Sequence, residues 1–556
     1  MQMRKKLIMA AAAFAVAGLV LSGCSPSSGN NSGGGSDKPL TIAMPNGAIT
    51  ENSNPFLSTA AGSQLGYRWA IYEPVVQFNL AEPSKPGTPW LAEEFAWNDD
   101  YTSITFTVRD GAKWSDGEDI TADDYVYTFE LLRDNPALNV SALPITDVTD
   151  NGDGTVTVGF ETSQYVRQQF IYQTFIVPEH VWSKIADPET DVNKTPVGSG
   201  PYTLKTWTPQ VVTLTARDDY WGGEPPVKTL QYSSFTDNAA LTTALTSGQV
   251  QWTWTFIPDY ENVFIAKDPA NHLAWFPAGL GIDLLYVNTT EKPFDDAAVR
   301  KAVSMVIDRD KISTQAYSAT SPAITSETGL PQPAGDPFIS SALTDANYEV
   351  DVDGAKKVLA DAGYTLDGDK LIDPSGTPVT FSLTNPTGWS DYLASLQIIA
   401  DSVKPLGIDA TVDAQAADPW FDAVAQGNFQ ATNHWTDTGI TPYDIYSNSM
   451  NGTFNVPVGE SAEWNFGRYD NPKATELLSQ YVAATDDAGR QTALDGLQQI
   501  FVDDVPAIPT VGRAFGAEFS QKYWKGWPSA DNPYAHPQPT QPSVSQVLMS
   551  LEANNG

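Results

Sequence analysis

Trp252 and Trp254 stand two residues apart just after a Ser247-Gly248 turn, a spacing that puts both indoles on one face of a strand. Trp389, Trp420, Trp435 and Trp464 sit in Gly-, Asp- and Asn-rich surroundings that read as loop rather than core. Flat rings gathered on one surface can stack on the apolar faces of pyranose rings while amides and carboxylates bond hydroxyls. Asp437, Asn465 and Asn54 are the candidate hydroxyl partners, and Tyr443 and Trp527 complete the candidate set. Any one tryptophan taken alone is expected to pack in a core, and turn or capping work competes for the polar residues. The set points to a ligand more than any member does.

Other chemistries find little support. His180, His272, His434 and His536 are far apart and form no metal-binding spacing. Among 67 Asp and Glu no pair stands out, although a glycosidase needs two carboxylates held roughly 5–10 Å apart. No metal, cofactor or catalytic role is expected. A net charge of −36 and a pI near 4.2 argue against nucleic acid, which demands clustered Lys and Arg.

The single cysteine, Cys24, supplies a different chemistry. Arg4, Lys5 and Lys6 precede an apolar run over 7–21, followed by Ser22-Gly23-Cys24. This is the pattern of an export signal, and fifteen apolar residues are short for a spanning helix. Leu21-Ser22-Gly23-Cys24 is similar to the bacterial lipobox. That likeness implies removal of residues 1–23, lipidation of Cys24 and anchoring to the outer face of the cytoplasmic membrane. Loss of three cations takes the net charge from −36 to −39. Residues 24–37 read as a tether, whose Ser-, Gly- and Asn-rich part spans roughly 20 Å. With no cysteine beyond Cys24, the exported part has no disulfide and no thiol chemistry.

Strand-like and helix-like segments must then position the candidate residues. Residues 105–109 and 155–160 alternate with period two, whereas 355–362 and 392–403 show apolar spacing near 3.6. Asp150-Asn151-Gly152-Asp153-Gly154 and Asp367-Gly368-Asp369 predict hairpin turns, and Thr121 predicts a helix cap. The class is α/β without a clean βαβ repeat.

The stretch from Trp90 through Arg109-Asp110-Gly111-Ala112-Lys113-Trp114-Ser115-Asp116-Gly117 to Asp123-Asp124-Tyr125 resembles the signature of the dipeptide/oligopeptide-type solute-binding proteins of ABC importers, solute-binding family 5. Val177-Pro178-Glu179-His180-Val181-Trp182, Gly198-Ser199-Gly200-Pro201-Tyr202 with Tyr220-Trp221, and Ile307-Asp308-Arg309 follow in family order. The resemblance implies a bilobed, periplasmic-binding-protein-like clamshell with an extra subdomain, no catalysis, and an ABC permease as partner. It places lobe I at 38–59, 191–284 and 506–556, the subdomain at 60–190, and lobe II at 285–505. The hinge crossings are expected near 281–288 and 503–510, and the protein is expected to act as a monomer.

Two ligand classes stay open. In dipeptide-type members an aspartate of a W…D…DP segment anchors the ligand ammonium. The matching stretch here is His434-Trp435-Thr436-Asp437-Thr438-Gly439-Ile440-Thr441-Pro442-Tyr443-Asp444, which puts Asp437 in that place but replaces the Asp-Pro pair by Thr441-Pro442. The tail Gly526-Trp527-Pro528 … Asn532-Pro533-Tyr534-Ala535 resembles instead the branch that binds β-linked oligosaccharides such as cellobiose. A short oligosaccharide is therefore the first expectation and an oligopeptide the second.

Overall fold

The computed structural model describes residues 38–47, 49–387 and 389–554. The leader over 1–23, Cys24 and the tether over 24–37 lie outside the described residues. No helix among the described residues is long and apolar enough to cross a membrane.

Two mixed sheets organise the chain. Seven strands pair in the order His272–Trp275, Ala517–Ser520, Trp252–Thr253, Leu40–Met44, Thr229–Ser234, Val212–Ala216 and Tyr202–Trp207. Leu40–Met44 lies parallel to both neighbours, with Ile42 opposite Tyr232 on one side and Trp252 on the other. The second sheet orders Asp409–Gln415, Thr380–Pro386, Ala431–Trp435, Ala278–Val287 and Ala507–Ala514. Every residue of Ala278–Val287 is buried, as expected of a central strand covered on both faces. Leu285 and Val287 enter one apolar cluster while Ile282, Leu284 and Tyr286 enter another, the period-two division of a strand.

The chain passes between the sheets at Phe276-Pro277 and Phe515-Gly516, the short links from His272–Trp275 to Ala278–Val287 and from Ala507–Ala514 to Ala517–Ser520. A Cβ on Gly516 would collide with the Phe276 ring and the Trp275 carbonyl, so the two links run against each other. The expected crossings at 281–288 and 503–510 fall a few residues away, inside elements of the second sheet and its flank. A continuous apolar strand gives no internal mark of where one sheet ends.

A four-stranded antiparallel sheet, Ala92–Trp97, Ser103–Val108, Thr155–Phe160 and Ile145–Asp150, lies within the stretch 60–190 expected as an extra subdomain. The expected hairpin turns fall between Ile145–Asp150 and Thr155–Phe160 and between Thr365–Asp367 and Lys370–Ile372. Thr121 precedes the helix Ala122–Asp134, and its N–H donates to the Asp124 carboxylate at 2.9 Å. The same carboxylate accepts from Trp114 Nε1 (3.2 Å) and Glu179 N–H (2.9 Å), tying the first two signature segments together. Arg217 donates to the carbonyls of Gly198, Ser199 and Gly200, so that glycine-containing loop wraps a buried guanidinium. The signature residues are fold anchors.

Candidate functional site

A cavity of about 290 Å³ lies beside the two links, walled by residues of both sheets. Pro45, Asn238, Trp254, Thr255 and Phe256 come from the seven-stranded side. Asp283, Tyr317, Thr320, Ser321, Asp391, Tyr392 and Arg513 come from the five-stranded side, with Phe276 and Phe515 of the links between them. Six aromatic rings thus share one space with two carboxyls, one guanidinium and several hydroxyls.

Chain geometry explains why these side chains meet. Asp283 lies on Ala278–Val287 and Arg513 on the adjacent strand Ala507–Ala514, so sheet pairing brings the two charges close. The Tyr317 hydroxyl donates to Asp283 Oδ2 at 2.9 Å, while Oδ1 is buried with no partner among the described residues. Burial raises the Asp283 carboxyl above its ordinary range against the opposing effects of Arg513 and of the Tyr317 and Tyr392 hydroxyls, and burial likewise raises Asp391. The Arg513 guanidinium lies 5.3 Å from the Trp435 ring and 4.8 Å from that of Phe515, and its only hydrogen bond to a described residue is a long one, 3.4 Å, to the Thr436 carbonyl. A spare acceptor, spare donors and open rings are what a polyhydroxylated ligand requires. No group of three or more His, Cys, Asp or Glu among the described residues is arranged to hold a metal ion.

The sequence candidates divide. Trp389, Trp420, Trp435 and Trp464 do converge, around His434: its ring stacks at 4.1 Å on Trp435 and 5.6 Å from Trp420, with Trp464 edge-on at 5.8 Å. Trp389 meets Trp420 at 5.3 Å and Trp435 at 6.1 Å. Trp389, Trp435 and Trp464 are half-buried, but Trp420 is fully buried in the helix Ala417–Gln426, not in a loop, and donates to Thr432 Oγ1 at 3.0 Å. Burial holds the His434 imidazole neutral, its pKa lowered to about 4.

Trp252 and Trp254 part company. The strand is only Trp252–Thr253, so the backbone that would have aligned both indoles ends too soon. Trp252 is fully buried, donates to the Pro537 carbonyl at 2.8 Å and meets Trp527 edge-on at 5.5 Å. Trp527 stacks on Phe519 at 4.7 Å and donates to the Trp524 carbonyl, so both rings are core of the seven-stranded sheet and not platforms. Trp254 alone of the three opens on the cavity, 37 % exposed.

Among the polar candidates Asn54 is buried and clamps the chain, donating to the carbonyls of Pro188 and Asp191. Asn465 is buried at a positive φ of 50° and donates to the carbonyls of Asn451 and Tyr469. Both do turn chemistry. Asp437 is exposed, and its N–H donates to Asn448 Oδ1 at 2.7 Å. Partial burial raises its carboxyl, opposed by Arg513 and Arg167. Tyr443 is half-buried and stacks with Tyr481 at 6.1 Å; the neighbouring Asp444 is raised to about 7, first by burial and then by Asp437. Asp283, Asp391 and Arg513 were missed. Their signal was present for two of them, a lone charge in each of two otherwise uncharged strands.

An α/β chain with two principal sheets, short double links and a polar, ring-lined cavity beside them is the architecture of a bilobed clamshell binding protein. The chain belongs to the bacterial extracellular solute-binding proteins, family 5, whose model matches residues 87–457. It is the substrate-binding protein of an ABC importer. It is 24 % identical over 449 residues to the oligopeptide-binding protein AppA of Bacillus subtilis, covering 75 % of this chain and 76 % of AppA. The structure of AppA with a nonapeptide aligns with TM-score 0.65 at 19 % identity, covering 93 % of this chain and 100 % of that one. A periplasmic oligopeptide-binding protein of Thermotoga maritima aligns with TM-score 0.80 at 24 % identity, covering 93 % and 100 % of the two chains. A structure of that protein with bound mannohexaose aligns at 0.69 and 24 % identity, covering 94 % and 99 %.

Proposed function

We propose that this protein captures a short oligosaccharide, of the β-glucoside or cellobiose kind, between its lobes and delivers it to its permease. The observation that carries the reading is the cavity beside the links, which Trp254, Tyr392 and Phe515 line together with the Asp283 carboxyl and the sparingly bonded Arg513. Sugars bring both an apolar ring face and a set of hydroxyls, and this wall supplies a counterpart to each. Asp391 and Asn238, one from each sheet's side, are further hydroxyl partners. In this reading Trp389, Trp435 and Trp464 add further rings, and Asp437 and Tyr443 further polar groups, to the ligand surface.

The lobes in this reading divide at 276–277 and 515–516, with residues 60–190 as the extra subdomain. Lipidated Cys24 and the tether hold a monomer near the permease, raising its effective concentration there. The mannohexaose complex of the Thermotoga maritima relative supports a saccharide in this fold.

A peptide is the second reading, favoured by the peptide-binding names of the relatives and by the place of Asp437. Titration of the purified protein with cello-, xylo- and manno-oligosaccharides, and separately with di-, tri- and longer peptides, decides between them. A ligand that binds only the folded state adds about 2.7 kcal/mol of stability at a hundred times its Kd and so raises the midpoint of unfolding. Stabilisation by peptides with none by any of the saccharides overturns the first reading.

A further inference from the structure

A second cavity, of about 100 Å³, shares no lining residue with the first. Phe56, Trp69, Leu132, Leu143, Phe170 and Phe175 supply apolar wall, and no Asp or Glu lines it. Arg68 does. Its Nη1 donates to the Pro55 carbonyl at 3.1 Å and to Ser63 Oγ at 3.0 Å, and its guanidinium lies 4.6 Å from the Trp69 ring. Its Nε is buried with no partner, and it forms no ion pair with a described residue.

A guanidinium withdrawn from water costs several kcal/mol unless an anion and hydrogen bonds offset the loss. Arg68 has two neutral acceptors for five donors. Burial without a compensating carboxylate lowers its pKa to about 10, the direction that an arriving anion reverses. The more deeply buried arginines are better served: Arg217 pairs with Asp219 and five carbonyls, Arg490 with Asp487 and the Ala484 carbonyl, and Arg300, Arg309 and Arg468 each donate to three carbonyls.

We propose that this cavity is an accessory site for a small monocarboxylate with a branched apolar tail, its carboxylate on Arg68 and its tail against Phe56, Trp69 and Phe175. The planar fork of arginine matches a carboxylate bidentately. An apolar cavity of about 150 Å³ accepts benzene, so this smaller, open-mouthed one suits an acid of about four or five carbons. Phosphate or sulfate would leave oxygens stranded against the apolar wall. The large net negative charge of the chain is screened beyond about 8 Å at physiological ionic strength and leaves the local cation to decide.

Isovalerate is the probe and isoamyl alcohol its uncharged counterpart, each followed by ligand-observed NMR on the purified protein. The expected result is saturable isovalerate binding with a Kd of about a millimolar, and at least about tenfold weaker binding of the alcohol. Arg68→Gln, which keeps an amide for Pro55 and Ser63, removes isovalerate binding. Val140→Glu places a repelling charge at a lining position that is 66 % exposed, weakens it without touching the core, and stands in if Arg68→Gln does not fold. Affinity for the ligand of the inter-sheet cavity stays unchanged in both, which keeps the two sites' outcomes separate. No saturable binding, equal binding of the alcohol, or full binding by folded Arg68→Gln or by Val140→Glu overturns the proposal.

Discussion

Trp252 and Trp254 are neighbours but one in the chain, yet they belong to opposite kinds of surface. Trp252 joins Phe519 and Trp527 in a group whose indole N–H donors reach carbonyls of Pro537 and Trp524. Trp254 opens on the cavity with Phe276, Tyr392 and Phe515, and its N–H donates to no described residue. The same contrast separates Trp420, bonded to Thr432, from Trp389, Trp435 and Trp464, whose indoles likewise donate to no described residue. A ring with a satisfied N–H and no exposure has finished its work in folding. A ring with a free donor and an open face retains binding capacity.

The largest test of this contrast removes a ring from the finished group. Trp527→Ala leaves a cavity among Trp252, Phe519 and Trp524 and should cost about 3–5 kcal/mol of stability. Denaturant unfolding measures it, and saccharide affinity of the folded fraction should change little. A stable Trp527→Ala protein with lost affinity would place that ring in the binding surface after all.

A second test uses pH on the aromatic group around His434. Its imidazole is buried neutral with a pKa lowered to about 4, whereas in the unfolded chain it titrates near 6.5. The unfolded state therefore takes up the proton first as pH falls. The neutral imidazole contributes stability that is complete above about pH 6.5 and lost between there and about pH 4, roughly 3 kcal/mol in all. His434→Phe should lose less stability than the parent between pH 7 and pH 4.5. Equal losses in unfolding experiments would mean that this imidazole reaches water.

Much of this was legible in the chain. The hairpin turns with Gly152 and Gly154 and with Gly368 announce themselves because short acidic-glycine turns are local chemistry. The Thr121 cap is equally local. The loop-like composition around Trp389 and Trp464 matches their irregular backbone, but it misreads Trp420, which is buried in a helix, and Trp435, which ends a strand, and it carries no sign that His434 is their centre. What stayed hidden depends on partners distant in sequence. Trp252 is covered by residues near 519 and 527, and Asn54 is consumed by carbonyls near 190, which spacing alone does not reveal. Asp283 and Arg513 did leave a trace, since a lone charge inside an otherwise uncharged strand must find compensation somewhere.

On the open side, Trp254→Ala should weaken the saccharide by about 2 kcal/mol. An aromatic side chain buries ~200 Å². With 37 % of Trp254 still exposed, covering it adds roughly 75 Å², worth about 2 kcal/mol at 25 cal/mol per Å². The unfolding midpoint should move little. Calorimetric titration separates this outcome from a core role, in which stability falls and affinity holds.

The smallest expected effect is the most discriminating. Asp437 is exposed, its carboxyl is raised above the ordinary range, and Arg513 and Arg167 both act on it. As one of several hydroxyl acceptors it should matter little, so Asp437→Asn, which retains an acceptor oxygen, should weaken a saccharide by less than about 1 kcal/mol. As the sole anchor of a peptide ammonium it would matter greatly, because its removal leaves a buried cation unpaired at about 3–5 kcal/mol. The pH dependence has the same power. Protonation of a raised carboxyl discharges an ammonium anchor as pH falls, yet leaves a hydroxyl partner able to bond. Saccharide affinity that is nearly flat from pH 7 to pH 5 and insensitive to Asp437→Asn assigns the residue to the polar rim, and a steep fall in both assigns it to the centre of recognition.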